Sequence, residues 1–268
     1  MILSSSDTGS GIDIAHFEAG RGDPVVLIHG LGDDHRAWRK VVAPLMLTRR
    51  VILYDFRGHG GTSLGSPAGS LRQLAGDLIS LLDGLAIERA VLAGFSLGGT
   101  IAMRTAIDQP GRVSALALVA TSSRVNAAAS QWYTERADMV KRGDPDLRTV
   151  LDRDTEDVYR NRPGEIDAGL LIRRQSTADP RGYANACTAM ASLRSEPLDG
   201  ELGAISAPTI VLAGDKDQHC PPRAGQIIAE RIADSKLQVI ADTGHPLPVE
   251  RPAEVAAAIE TVAGPRTK

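Results

Sequence analysis

A serine set between glycines, followed far downstream by an aspartate and then a histidine, could together move an acyl group on and off a serine hydroxyl. Ser96 stands in Gly94-Phe95-Ser96-Leu97-Gly98, Asp217 in Gly214-Asp215-Lys216-Asp217, and His245 in Asp242-Thr243-Gly244-His245. A serine hydroxyl is a weak nucleophile near neutral pH, so it needs a base to remove its proton and a carboxylate to orient that base. Context singles out Ser96. The apolar run Val91 to Ala93 leads into Gly94, and a helix-forming segment with apolar Ile101, Ala102 and Ala106 follows. That order is strand, tight turn, helix. On such a turn the serine is pushed clear of the sheet, while Gly94 and Gly98 let strand and helix approach. The competing reading is a serine that caps the helix. The pentapeptide alone is a weak signal, because Gly61-Thr62-Ser63-Leu64-Gly65 spells the same pattern. No strand leads into it, and Pro67 and Gly69 follow where a helix should run, so Ser63 is expected to be a loop serine.

The elements that must position these residues can be read from the apolar runs. Val25 to Ile28, Val51 to Tyr54, Val113 to Ala120 and Pro208 to Ala213 are continuous and rich in β-branched residues, as suits strands buried on both faces. Leu237 to Ile240 is a shorter strand, and Gly11 to Glu18 alternates weakly, which predicts an edge strand with His16 solvated. Helical spacing covers His35 to Leu45, about Leu71 to Leu85, Ala224 to Ala233 and Pro252 to about Ala263, with Trp38 expected in packing. Strands alternating with helices predict an α/β fold with a doubly wound, mostly parallel sheet, in which the loops carrying Ser96, Asp217 and His245 leave the same edge. From Thr121 to about Gly203 no strand is evident, and short amphipathic segments are cut by Gly143, Pro145, Pro163-Gly164 and Pro180. Periodic Leu147, Val150 and Leu151, with Trp132 and Tyr133, oppose disorder there. The expected organisation is a core of residues 1–120 and 204–268 with a helical cap, 121–203, over the strands' carboxyl ends.

Composition narrows the partners. The 268 residues are 43% hydrophobic with a net charge of −3, and no block of five like charges occurs. Nucleic acid and anionic membrane surfaces have no electrostatic support, and a small-molecule partner is expected. The first residues lack a basic, then apolar leader, and no apolar stretch approaches the roughly 18 residues that span a bilayer, which predicts a cytoplasmic protein. Gly30-Leu31-Gly32 is not a dinucleotide loop: the third glycine is replaced by His35, and Asp33 and Asp34 would repel a pyrophosphate. Asp215-x-Asp217-x-His219 has no second ligand cluster, so neither a metal nor another cofactor is expected. Cys187 and Cys220 read as reduced thiols. Oligomeric state stays open.

Several stretches resemble the α/β-hydrolase family in order and spacing. They are His29-Gly30, Asp55-Phe56-Arg57-Gly58-His59-Gly60, Gly94 through Gly99, Gly214 through Asp217, and Gly244-His245 followed by Glu250-Arg251-Pro252. The resemblance implies Ser96 as nucleophile, His245 as base and, as the third residue after the glycine, Asp217 rather than Asp215 as the orienting acid. It implies an oxyanion hole from the backbone N–H groups of Leu97 and Leu31, and a loop-holding role for Asp55 and His59. Within the cap, Ser122-Ser123-Arg124, Gln131-Trp132 and Asp179 through Cys187 are similar to the 3-oxoadipate enol-lactonase branch, which opens a small lactone bearing a carboxylate. That likeness makes Arg124 and Trp132 candidate substrate-binding residues, although Trp132 could equally be core packing. The activity implied is hydrolysis of a carboxylic ester or lactone without a cofactor. A general carboxylesterase, an acyl-homoserine lactonase, a carbon–carbon bond hydrolase and a non-catalytic ligand receptor use the same fold.

Overall fold

The computed structural model describes residues 2–7 and 11–265; Met1 and Lys268, the outer limits expected for the core, lie outside them. In chain order the elements are β1 (Ile2–Asp7), β2 (Asp13–Ala19), β3 (Pro24–Ile28), α1 (Val42–Leu45), β4 (Arg50–Tyr54), α2 (Leu71–Gly84), β5 (Ala90–Phe95), α3 (Leu97–Asp108) and β6 (Val113–Val119). There follow α4 (Ala127–Lys141), α5 (Leu147–Val158), α6 (Ile166–Ser176), α7 (Pro180–Ser192), β7 (Thr209–Gly214), α8 (Pro222–Ala229), β8 (Ser235–Ile240), α9 (Leu247–Glu250) and α10 (Pro252–Ala263). One eight-stranded sheet has the order β1-β2-β4-β3-β5-β6-β7-β8. β1 and β2 are antiparallel to their neighbours, and β4 through β8 run parallel.

The period-two alternation of a strand explains the two layers of helix. Val26, Ile28 and Ile52 point to one side, where Leu74 and Leu78 of α2, Ile101 of α3 and Ile228 of α8 cover them. Val25, Leu27, Val51 and Leu53 point to the other, against Val42 and Leu45 of α1 and Val255 and Ile259 of α10. The fold is therefore the doubly wound, mostly parallel α/β sheet that the apolar runs predict. Because β3 lies between β4 and β5, the chain order reverses there, and the loops after β3 and β5 open a crevice at the carboxyl edge.

Between β6 and β7 the chain is helical, and α4, α5 and α7 share a small core of Ala137, Leu151, Tyr183, Ala184 and Cys187. Two expectations are corrected. β1 pairs outside β2, so β2 is not an edge strand, and His16 is buried rather than solvated. The expected helix from His35 to Leu45 divides into a 3₁₀ turn, His35–Trp38, and the one-turn α1. Pro44 has no N–H, and in a continuous helix its ring would meet the carbonyl of Lys40. Trp38 is fully buried in the core beneath this turn.

Candidate active site

Ser96 is the residue between β5 and α3, with φ 53° and ψ −120°. Such a conformation costs about 1–3 kcal/mol in a non-glycine residue and persists only where the surroundings fix it. Here the Ser96 N–H donates to Val119 O at 2.9 Å, and Thr121 Oγ1 donates to Ser96 O at 2.6 Å. A side chain on Gly94 would overlap the Gly98 carbonyl, and one on Gly98 would overlap that of Ile28, so the turn closes only with glycine at both places. The Ser96 hydroxyl makes no capping hydrogen bond to α3, which removes the helix-cap reading. It lies 3.1 Å from His245 Nε2, and His245 Nδ1 lies 2.8 Å from Asp217 Oδ2. An ionised carboxylate only accepts, so Nδ1 carries the hydrogen and Nε2 is left to accept from the serine.

Asp217 also accepts from the His219 and Cys220 N–H groups at 2.8 and 2.9 Å. Burial pushes its carboxyl up, but His245 and these donors outweigh burial and hold it below the usual carboxylate range. Asp215 is turned elsewhere, accepting from the Thr243 N–H at 3.1 Å and so tying the loops after β7 and β8 together. The geometry thus pairs Asp217, not Asp215, with His245, and it leaves neither free to share a metal with His219.

The loop after β3 faces the turn of Ser96. Leu97 is the first residue of α3, so its N–H is one of those a helix leaves without an internal partner. Leu31 lines the cavity over Ser96. Two buried histidines fix this loop from behind. His29 donates through Nδ1 to Gly30 O at 2.9 Å and accepts from the Phe56 N–H at 3.1 Å. His59 accepts from the Gly32 N–H at 3.3 Å and meets Arg57 O at 3.2 Å. Burial lowers the pKa of both, that of His59 to about 3, so each ring is neutral and one nitrogen can accept. Asp55 accepts from the N–H groups of His35 and Gly61, the loop-holding role expected of it. The role of His29 escaped the sequence reading; its place before Gly30 was the available signal. Asp34, His35 and Asp55 bring possible ligand atoms within 4.8 Å of one another. Asp34 already takes the Arg36 backbone and guanidinium, and Asp55 the His35 ring, so these groups are spent on holding the loop.

The cavity over Ser96 has a volume of about 530 Å³, in the range of small-molecule sites. Its floor is Gly30, Leu31, Asp33, Phe95, Ser96 and His245, and its far wall includes Trp132 and Tyr133 of α4, Asp154 and Asp157 of α5 and Arg173 of α6. Trp132 is thus on the wall, with the Arg136 guanidinium 4.6 Å from its ring centre. Arg124 is not. Its side chain is 54% exposed, pairs with Asp199 at 3.3 Å, and lines a neighbouring 210 Å³ cavity that does not include Ser96. That cavity is also lined by Arg223, Ala224 and Ile227 of α8. Both cysteines are free, and burial pushes their thiols up, Cys187 to about 12, so neither offers a thiolate nucleophile. Asp33, His219 and Arg173 are cavity residues that the sequence reading missed. Arg173 is one of eleven arginines in residues 121–203, singled out by no spacing.

The profile of the alpha/beta hydrolase family matches residues 25–258. The chain belongs to this family. Among related α/β hydrolases, 3-oxoadipate enol-lactonase 2 of Acinetobacter baylyi is 32% identical over 270 residues, covering 97% of each chain. The putative carbamate hydrolase RutD of Variovorax paradoxus is 31% identical over 231 residues, 84% of this chain and 85% of the relative. Among solved structures, an esterase of Thermogutta terrifontis with malate bound superposes with a TM-score of 0.83 at 30% identity over 97% of both chains. The enol-lactonase of Burkholderia xenovorans shares the fold with a TM-score of 0.86 at 24% identity, covering 97% of this α/β hydrolase and 99% of that chain. Among the described residues no helix is long and apolar enough to cross a membrane.

Proposed function

We propose that this α/β hydrolase is a cofactor-independent serine hydrolase of carboxylic esters or lactones. The observation that carries the reading is the continuous relay from Ser96 through His245 to Asp217, opening onto the cavity. Ser96 Oγ attacks the substrate carbonyl as His245 Nε2 takes its proton, and Asp217 stabilises the imidazolium without itself becoming protonated. The carbonyl oxygen gains charge as the tetrahedral intermediate forms, and the N–H groups of Leu31 and Leu97 are the donors assigned to it. His245 then gives its proton to the leaving oxygen, which in a lactone stays tethered to the acyl group. Water, deprotonated by the same histidine, releases the acid and restores Ser96.

The best named substrate is an enol-lactone of the 3-oxoadipate type. The enol-lactonase names among relatives spanning nearly the whole chain support it, and malate in the esterase neighbour accords with an acidic ligand. Residues 121–203 act as a cap, with Trp132 against the substrate. The partner is a small molecule, and the cytoplasm is the proposed location. A ligand receptor on the same fold would not need a serine within hydrogen-bond distance of a carboxylate-oriented histidine. The test is reaction with a fluorophosphonate, followed by peptide mass spectrometry and a turnover screen over esters, lactones, enol-lactones and carbamates. An adduct on Ser96 with fastest turnover of the enol-lactone is expected. No adduct would favour the receptor and end the reading; an adduct with preference for another class would retain the mechanism and replace the substrate.

A further inference from the structure

The charged residues on the cavity wall are not equally occupied. Asp154 is held by the Arg136 guanidinium at 2.8 and 2.9 Å. Asp157 is held by Arg160 and lies 3.4 Å from His219, and His245 is held by Asp217. Two groups remain. Arg173 is only 7% exposed, yet among the described residues its guanidinium makes no ion pair or hydrogen bond, and its Nε is buried without a partner. Its Cζ stands 6.0 Å from the centre of the Tyr183 ring. It lies over Gly32, with Cδ 3.1 Å from where a Cβ on that glycine would stand. Asp33 Oδ2 is likewise 3.2 Å from the Cβ position of Gly30, so its carboxyl sits over the same loop. Asp33 too has neither an ion pair nor a side-chain hydrogen bond among the described residues. Arg173 thus packs against the loop that carries Asp33 and acts on its charge, yet among the described residues no ion pair or hydrogen bond joins the two.

A desolvated guanidinium without an acceptor is costly, and it is relieved by a ligand that brings one. Its planar fork matches a carboxylate, which accepts two parallel hydrogen bonds. We propose that Arg173 and Asp33 form the subsite that binds a carboxylate on the substrate, Arg173 through its charged fork and Asp33 as the neighbouring group whose ionisation sets how strongly the anion is held. This rests on the serine-hydrolase reading and adds to it the residues that select an acidic substrate. Burial pushes the Asp33 carboxyl up, and Arg173 only partly counters this. The other groups that bear on Asp33 are His29, Asp34 and His245, and Tyr159 at the end of α5. His29 is held neutral by burial, as is His219 across the cavity, pushed down to about 4, and burial pushes the Tyr159 phenol up. Once ionised, Asp33 repels the bound anion. Affinity for an acidic ligand should accordingly fall as pH rises through the Asp33 pKa, while a neutral ligand is unaffected.

The experiment is calorimetric binding of monomethyl glutarate, dimethyl glutarate and the primary amide of monomethyl glutarate to the Ser96→Ala protein, between pH 5 and 8. Turnover is thereby removed from the readout. We expect the acid to bind roughly tenfold to a hundredfold more tightly than the diester at pH 5.5, as for a charged hydrogen-bonded contact. Adding Arg173→Met should abolish that preference, and Arg173→Lys should restore only part of it. Adding Asp33→Asn should keep the preference and flatten its pH dependence. Equal binding of acid and diester, survival of the preference in Arg173→Met, or tighter binding of the amide would overturn the proposal. Each could occur while fluorophosphonate still labels wild-type Ser96, so the subsite can fail without the hydrolase reading failing with it.

Discussion

The turn at residues 94–98 and the loop at residues 61–65 carry the same pentapeptide pattern and share almost nothing else. In the first, Ser96 is held at positive φ between a buried strand and a buried helix, and its hydroxyl faces His245. In the second, Ser63 is exposed and its Oγ accepts from the Asp13 N–H at 3.1 Å, while backbone bonds to Asp13 and Gly58 complete the turn. Ser63 is a stitch between a loop and β2. A glycine-serine-glycine pattern therefore has no chemistry of its own. The chemistry comes from the strand and helix that force the serine's backbone into strain and leave its side chain no local partner.

Replacing the two serines gives the largest separation. Ser96→Ala should lower kcat by about the millionfold seen when a serine nucleophile is removed, whereas Ser63→Ala should leave it within about twofold. Steady-state kinetics on one ester would decide, and comparable losses in the two variants would break the comparison. The same contrast recurs in two aspartates two residues apart. Asp217→Asn should cost about ten-thousandfold in kcat, because the amide cannot keep His245 in the required tautomer. Asp215→Asn retains an acceptor for the Thr243 N–H and should cost less than about tenfold. If Asp215→Asn proved the more damaging, the pairing of Asp217 with His245 would not be the working one.

Much of this was legible in the sequence, for reasons that differ by element. The strands Val25 to Ile28 and Val51 to Tyr54 announce themselves because both faces are buried, so every position is apolar. The order Ser96, Asp217, His245 was readable because each residue follows a strand. Other features depend on partners distant in sequence. Whether β2 is an edge strand depends on β1, which pairs outside it. Arg173 could not be told from the other arginines of the helical segment, because its isolation follows from α6 packing over Gly32. The 35–45 helix failed on a local rule, the missing N–H of Pro44, which the apolar spacing had concealed.

The glycines sharpen the comparison through stability. On Gly98 a Cβ would meet the backbone carbonyls of Ile28 and His29, which cannot move without breaking β3. On Gly65, at φ +55°, it would meet Ile12 Cγ2 at 2.5 Å, a side-chain tip that can shift, and Arg57 Nη1 at 3.0 Å. Gly98→Ala should therefore destabilise by about 3 kcal/mol or more, and Gly65→Ala by about 1–2 kcal/mol, mostly from its left-handed backbone. Thermal unfolding should show the first variant melting several degrees lower than the second, and a reversed order would mean that the 94–98 turn is not under the constraint described.

The smallest expected effect concerns Arg124, the arginine that the sequence favoured for a substrate carboxylate. It differs from Arg173 as Ser63 differs from Ser96: the same residue type in surroundings that already satisfy it. Arg124 is half exposed and paired with Asp199, and an exposed pair of this kind contributes about 0–1 kcal/mol. Its cavity shares Asn126, Ala129, Tyr133, His219, Cys220 and Pro221 with the one over Ser96 but is not lined by the serine itself. Arg124→Ala should accordingly change kcat/KM by less than about twofold, and equally for an anionic lactone and its neutral methyl ester. A selective loss of tenfold or more on the anion would require the chain at Asn126 and Tyr133 to move so that the two cavities join, and would transfer the carboxylate contact from Arg173 to the residue beside Ser123.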